Sequence, residues 1–315
     1  MSALRRAEPR RLLTVLLALA LTTAGCGSNG GTPSGSGPTG VAGRTAAPNQ
    51  PFDALLGEEY SSVELARLRI RDKCLADAGY PQNRDNFSTW RPPDPFEPLL
   101  LSAQNLGPTS EQEARRLGFG ADFPGEPARI VSLDAGYDTN LKRCEAEAWT
   151  RFGPKAKQTM TDYFDLFNVL GPYRYEVERE MPSDLASKLY DCMATKNYRA
   201  DRDAFLRTPN YTLFGVQFGA SERGPEEDWQ PASRPGVVQV GPAIPARRYV
   251  PTPAESDLAV AWFQCSKDVG RVEAHLAAAF RVQQRYVDRY ESRITELNEQ
   301  IKTLARQSAG LLAQN

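Results

Sequence analysis

The residues able to do chemistry are few. The chain carries five cysteines and one histidine, His275. A single histidine excludes metal sites built on histidine pairs or triads and weighs against a histidine-based nucleophile system. His275 sits in Glu273-Ala274-His275-Leu276 with no serine or cysteine nucleophile nearby, and reads as a helix-surface or packing histidine. The sequence has no G-x-S-x-G elbow, H-E-x-x-H, Walker loop or Ser-x-x-Lys. Asp85 and Asp203 form a conceivable carboxylate pair, but each follows an arginine, so a structural ion pair is the expected role. Asp94, Glu97, Glu226, Glu227 and Asp228 lack calcium-loop spacing. The expectation is a protein that is not an enzyme and uses no metal or cofactor.

The first cysteine belongs to a leader. Arg5, Arg6, Arg10 and Arg11 precede a largely apolar run, Leu12 to Leu21, of signal-core length and too short to span a bilayer. Thr23-Ala24-Gly25-Cys26 follows and resembles the lipobox of bacterial lipoproteins, departing from it at Thr23, where an aliphatic residue is usual. The resemblance implies removal of residues 1–25 and diacylglycerol on Cys26, and so a protein lipid-anchored on the extracytoplasmic face of the cell membrane. Loss of residues 1–25 removes four arginines and Glu8 and takes the formal charge from −1 to −4. Residues 26–50 then comprise the lipidated cysteine and a Gly/Ser/Thr/Pro-rich tether whose only charge is Arg44. Random-coil scaling gives this tether a reach of roughly 27 Å.

In an oxidising compartment Cys74, Cys144, Cys192 and Cys265 form an even set able to pair in three ways. The separations of 70 and 73 residues favour Cys74–Cys144 with Cys192–Cys265. The segment Cys74 to Phe87 aligns without gaps on Cys192 to Phe205, with Cys, Ala, Tyr, Arg, Asp and Phe coinciding at an offset of 118. Each bridge is worth roughly 4 kcal/mol in the chain-entropy description. Pro51-Phe52-Asp53-Ala54, the helix ending Cys74-Leu-Ala-Asp-Ala-Gly-Tyr80, the second Asp191-Cys192-Met193, and Leu258-Ala-Val-Ala-Trp-Phe-Gln-Cys265 with Gln283-Gln284 resemble an uncharacterised family of actinobacterial secreted lipoproteins. That resemblance implies a secreted, anchored helical protein and brings no activity with it.

The elements that must position these residues are helices. Val63, Ala66, Ile70 and Cys74 share one helical face, and Gly79-Tyr80-Pro81 ends it. Leu141, Cys144 and Ala148 repeat the pattern, a further helix runs from Lys155 to Leu170, and Ser183 caps a helix with Leu185, Leu189 and Cys192. Thr252-Pro253-Ala254-Glu255 is a capping box. From there an uninterrupted stripe predicts about 55 helical residues, a rod of roughly 80 Å. Its heptad places Phe280, Val287, Ile294 and Ile301 at a, and Leu276, Tyr290, Leu297 and Leu304 at d. Residues 276–308 therefore pack on the chain's own helix at about 154–181 or form a homodimer. Arg281, Arg285, Arg289 and Arg293 read as a solvated face balanced by Asp288, Glu291 and Glu296.

The fold class expected is mostly α, a disulfide-stapled helical bundle of two related halves (51–171 and 172–315), with long Pro/Gly-rich loops and a long C-terminal helix. Residues 81–110 and 206–251 resist regular structure, apart from a short strand at Val237 to Val240. Their aromatics, with Trp90, Phe214 and Trp229 as the ligand-binding candidates, either plug the bundle ends or converge on a surface for a glycan or small ligand. The balance of 38 Lys+Arg against 39 Asp+Glu argues against nucleic acid. Two functions follow: a non-catalytic envelope interaction or scaffolding lipoprotein with an envelope-protein or cell-wall partner, or a glycan- or small-ligand-binding lipoprotein.

Overall fold

The computed structural model describes residues 50–86 and 90–313, without the side chains of residues 85 and 86. Cys26, the leader, the tether up to residue 49 and Phe87 lie outside the described residues. The chain is mostly α-helical and stapled by two disulfides. In order come α1 (Gly57–Asp77), α2 (Gln82–Asn86), α3 (Glu111–Leu117), β1 (Ile130–Ser132), α4 (Ala135–Phe152), α5 (Ala156–Leu170), α6 (Tyr173–Arg179), α7 (Leu185–Thr195), α8 (Arg202–Arg207), β2 (Ala220–Ser221), β3 (Val238–Val240), β4 (Tyr249–Val250), α9 (Pro253–Asp268) and α10 (Arg271–Ala313).

The cysteine-bearing helices end alike. After α1 the Tyr80 N–H donates to the Leu75 carbonyl at 3.0 Å, with Gly79 at φ +101°. After α7 the Tyr198 N–H donates to the Met193 carbonyl at 3.0 Å, with Asn197 at φ +67°. Both are left-handed terminations that leave the following tyrosine folded back on its helix. The partner helices also start alike, each just after a short strand. Asp134 accepts the Tyr137 N–H to cap α4, and Thr252 accepts the Glu255 N–H to cap α9, 118 residues later. Disulfide Cys74–Cys144 joins α1 to α4 and Cys192–Cys265 joins α7 to α9, with Cα separations of 5.6 and 5.7 Å.

The larger core lies between α1, α4, α5, α6 and α10. It buries Val63, Ala66 and Ile70 of α1 against Tyr163, Leu166 and Leu170 of α5 and the inner face of α10. A smaller core gathers α7, α8 and α9 around Phe205 and Trp262. A third cluster surrounds the first disulfide, where Asn83 donates to the Tyr137 hydroxyl at 2.9 Å.

Three sequence expectations need correction. The C-terminal rod is two helices: Gly270, at φ +67°, ends α9, and α10 restarts at Arg271. The apolar stripe runs across the break because the same face remains inward on both sides. The 43 residues of α10 still span about 65 Å. Second, the heptad holds only in part. Ile294, Leu297, Ile301 and Leu304 are buried within the chain, whereas Phe280 is 47% exposed and Ala278, Ala279, Val282 and Tyr286 are buried in its neighbourhood. A straight helix drifts by about 20° per heptad, so over three heptads Phe280 points about 60° away from Ile301. Third, the arginine stripe is balanced from another helix. Arg281 and Arg285 reach Glu180, the C-cap of α6, at 3.4 and 2.5 Å, and Arg285 reaches Glu176 on α6 at 3.4 Å. Arg289 lies over the Tyr286 ring, and Arg293 donates to the Asp162 carbonyl.

The proline-rich stretches are more ordered than their composition suggests. β3, overlapping the strand anticipated at Val237 to Val240, pairs antiparallel with β1 in the register Ile130↔Val240, and β2 pairs with β4. Bridges Phe123↔Arg247 and Glu126↔Ile244 extend the first of these zones. The node of this region is Glu255, which is fully buried. It does not complete the expected capping box by reaching back to Thr252. Instead its carboxylate accepts the Phe119 N–H at 2.9 Å, the Gly219 N–H at 2.7 Å and the Tyr249 hydroxyl at 3.0 Å. Burial, then the Glu255 charge, pushes the Tyr249 hydroxyl up to about 12, which keeps it a donor.

Replacing Asn197 with Ala should cost about 1 kcal/mol, because a β-carbon without a local hydrogen-bonding group is strained in the left-handed region, while Asn197→Gly should be neutral or stabilising. Urea unfolding midpoints of the two variants check this. Replacing Glu255 with Gln should cost about 3 kcal/mol, because an amide cannot accept from both backbone donors and the tyrosine. The same unfolding assay reads it, and an unchanged midpoint would remove Glu255 from its role.

Candidate functional site

The three aromatic candidates lie in different surroundings. Phe214 packs inside the smaller core, with its ring 5.6 Å from Phe205 and 6.0 Å from Tyr198. Trp229 lies over Gly241, where a β-carbon would strike its ring. Trp90 differs, because it walls a cleft of about 230 Å³ on the outside of α1 together with Leu65, Leu68, Arg69, Arg71, Asp72 and Pro127.

This cleft follows from the two-sided character of α1. Val63, Ala66 and Ile70 point into the larger core. Leu65, Leu68 and Asp72 recur at i, i+3 and i+7, about half a turn away, and form one wall of the cleft. Pro127 and Trp90 come from the loops either side of α3. The polar end is Asp72, 4% exposed, which accepts from Arg71 Nε at 2.8 Å and Arg71 Nη2 at 2.7 Å. Both bonds go to Oδ1, and Oδ2 takes neither. Burial raises the Asp72 carboxyl above the ordinary carboxylate value, and Arg71, Arg69 and Arg67 pull it back. An aromatic ring, an aliphatic wall and one buried carboxylate held in an ion pair can bind a ligand, and nothing there is placed as nucleophile and base. Sequence reading singled out Trp90 and missed Leu65, Leu68 and Asp72, although their i, i+3, i+7 spacing is a second stripe on α1.

The other candidates are occupied in the structure. The Arg84 guanidinium pairs with Asp77 at 3.1 Å and Arg202 with Asp191 at 3.6 Å, and the Asp85 side chain lies outside the described residues. Asp203 is exposed in the first turn of α8. Among the described residues no three His, Cys, Asp or Glu side chains gather to hold a metal ion, and no helix is long and apolar enough to cross a membrane. A second groove, of about 360 Å³, runs along α10 between Gln50 and Leu276, Ala277 and Phe280.

His275 is a packing residue, 6% exposed. Desolvation, then the adjacent Arg271 guanidinium, pushes its imidazole down to about 4. Glu178 lies 3.6 Å from Nε2, beyond hydrogen-bond distance, and its exposed carboxylate does not offset those two effects. The unfolded chain takes up a proton near pH 6.5 and the folded one only near pH 4, so His275 favours folding at neutral pH and that advantage is lost as pH falls from about 6.5 to about 4. The loss amounts to about 3 kcal/mol. His275→Gln should flatten the stability profile between pH 7 and 4, measured as the difference in unfolding free energy between wild type and variant; parallel profiles would contradict this. Compared with known protein families, curated proteins and solved structures, the chain matches none.

Proposed function

We propose that this protein is a lipid-anchored, non-catalytic lipoprotein of the bacterial cell envelope, carried on the outer face of the membrane as an interaction or scaffolding protein. The observation that supports this most is the combination of a lipobox-like Thr23-Ala24-Gly25-Cys26 with a body closed by Cys74–Cys144 and Cys192–Cys265. Such bridges persist in oxidising compartments, where a secreted lipoprotein resides. The resemblance to actinobacterial secreted lipoproteins points the same way. The groups that could do chemistry also have structural work: Glu255 joins two loops to α9, His275 is held neutral in the core, and Asp72 is paired with Arg71. The tether delivers this body within roughly 27 Å of the bilayer, in reach of an envelope protein or the cell wall.

A second reading, recognition of a glycan or small ligand by the aromatic loops, is favoured by the Trp90 cleft. For the primary reading, the full chain should fractionate with membranes in an actinobacterial host and carry a diacylglycerol mass on its N-terminal peptide. Cys26→Ala should release it to the soluble fraction. Recovery of an unmodified Cys26 thiol in wild-type protein, by intact-mass measurement, would refute the anchor.

A further inference from the structure

We infer that the cleft between α1 and Trp90 is a saccharide subsite for one pyranose ring, with Trp90 as its stacking platform and the Arg71–Asp72 pair as its polar end. The inference deepens the second reading above and rests on it. A pyranose is neutral, has a face of C–H groups and is rimmed by hydroxyls. It therefore needs a flat apolar surface beside a fixed acceptor and donor.

Three observations select this chemistry. The first is shape: about 230 Å³ falls below the roughly 300–1,000 Å³ of pockets that enclose drug-sized ligands, so one ring fits and a chain must run out into solvent. The second is hydrogen-bonding capacity. Asp72 is buried, yet both bonds from Arg71 fall on Oδ1, so Oδ2 remains an acceptor that a hydroxyl can satisfy. Arg71 Nη1 is likewise outside the pair and can donate to a neighbouring hydroxyl. The third is charge. Arg67, Arg69 and Arg71 all act on Asp72, which disfavours an ammonium ligand, while the carboxylate itself disfavours an anion. A neutral ligand with hydroxyls and an apolar face satisfies both conditions.

The test titrates the full chain, held in a detergent without sugar headgroups, with glucose, galactose, mannose, N-acetylglucosamine and chitotriose, reading tryptophan fluorescence and calorimetric heat. A lone ring should bind with Kd on the order of 1 mM, and chitotriose within about ten-fold of its monomer, because only one ring is enclosed. Trp90→Ala should abolish the signal with an unchanged circular dichroism spectrum, and Asp72→Asn should weaken binding about ten-fold. Absence of saturable binding by every sugar up to about 50 mM would overturn both the inference and its carbohydrate form of the second reading. Sugar binding that survives Trp90→Ala would overturn the inference alone and move recognition to the other loops. Displacement of the sugar by choline or benzoate at equal concentration would overturn the assignment of a neutral ligand.

Discussion

The architecture turns on a buried carboxylate whose oxygens are filled by hydrogen-bond donors. Glu255 lies wholly inside the protein, and its stability there depends on donors supplied from three places in the chain: the backbone at 119, the backbone at 219 and the nearby Tyr249 hydroxyl. A carboxyl group stripped of water is tolerated only when its oxygens are filled by fixed donors. The requirement acts outward. Phe119 must present its N–H, which fixes the exit from α3. Gly219 must do the same at the start of β2, so the β2–β4 pair is set. Close packing around the node admits no side chain at Gly118, Gly120 or Gly219, where a β-carbon would meet Glu255, Tyr249 or the Val250 carbonyl. The segment leaving α3 and the proline-rich stretch 206–251, which lacks the periodicity to organise itself, are thereby tied to the first turn of a helix.

The disulfides act on a different scale. Each crosslinks a helix ending in a left-handed cap to a helix starting at a side-chain cap, and each encloses one irregular stretch. Their entropic effect falls on the unfolded chain, whereas Glu255 selects among compact arrangements of the same loops. The β1–β3 ladder then couples the two: β3 belongs to the second irregular stretch but pairs beside the first disulfide, where Val238 and Ile130 pack on the cluster of Leu75, Tyr137 and Cys144. The interlocked result pairs polar backbone groups in short ladders and bridges across these segments.

The helical framework was legible because it rests on local signals. The stripe Val63, Ala66, Ile70, the caps at Thr252 and Gly79, and the 118-residue offset of Tyr80 and Tyr198 all appear in the structure where their spacing placed them. What was not legible depends on partners far away in sequence. Nothing near Glu255 announces that it reaches residues 119 and 219 instead of closing its own cap. Gly270 was a local signal, overridden in the reading by an apolar stripe that continues across it. The heptad failed at Phe280 because a strict seven-residue repeat assumes supercoiling, and α10 packs within a globular core instead. For the cleft, Trp90 was visible as an aromatic in a loop. Its wall was hidden, because a helix apolar on opposite sides shows little net amphipathicity and its second stripe is masked by the first.

That two-sidedness of α1 also explains why a cleft there is suited to recognition. The face carrying Val63, Ala66 and Ile70 is locked into the larger core, and its C-terminal end is held by Cys74–Cys144. Leu65, Leu68 and Asp72 therefore ride on a backbone that cannot shift without disturbing the core behind it. The Arg71–Asp72 pair is likewise set by adjacent residues of the same helix, so its geometry precedes any ligand. A ligand on such a wall would cost little ordering on that side, and Trp90, between α2 and α3, lines the same cleft. The physical division of labour is thus within a single helix: one side supplies the stability, and the other, spared from the core, supplies the surface.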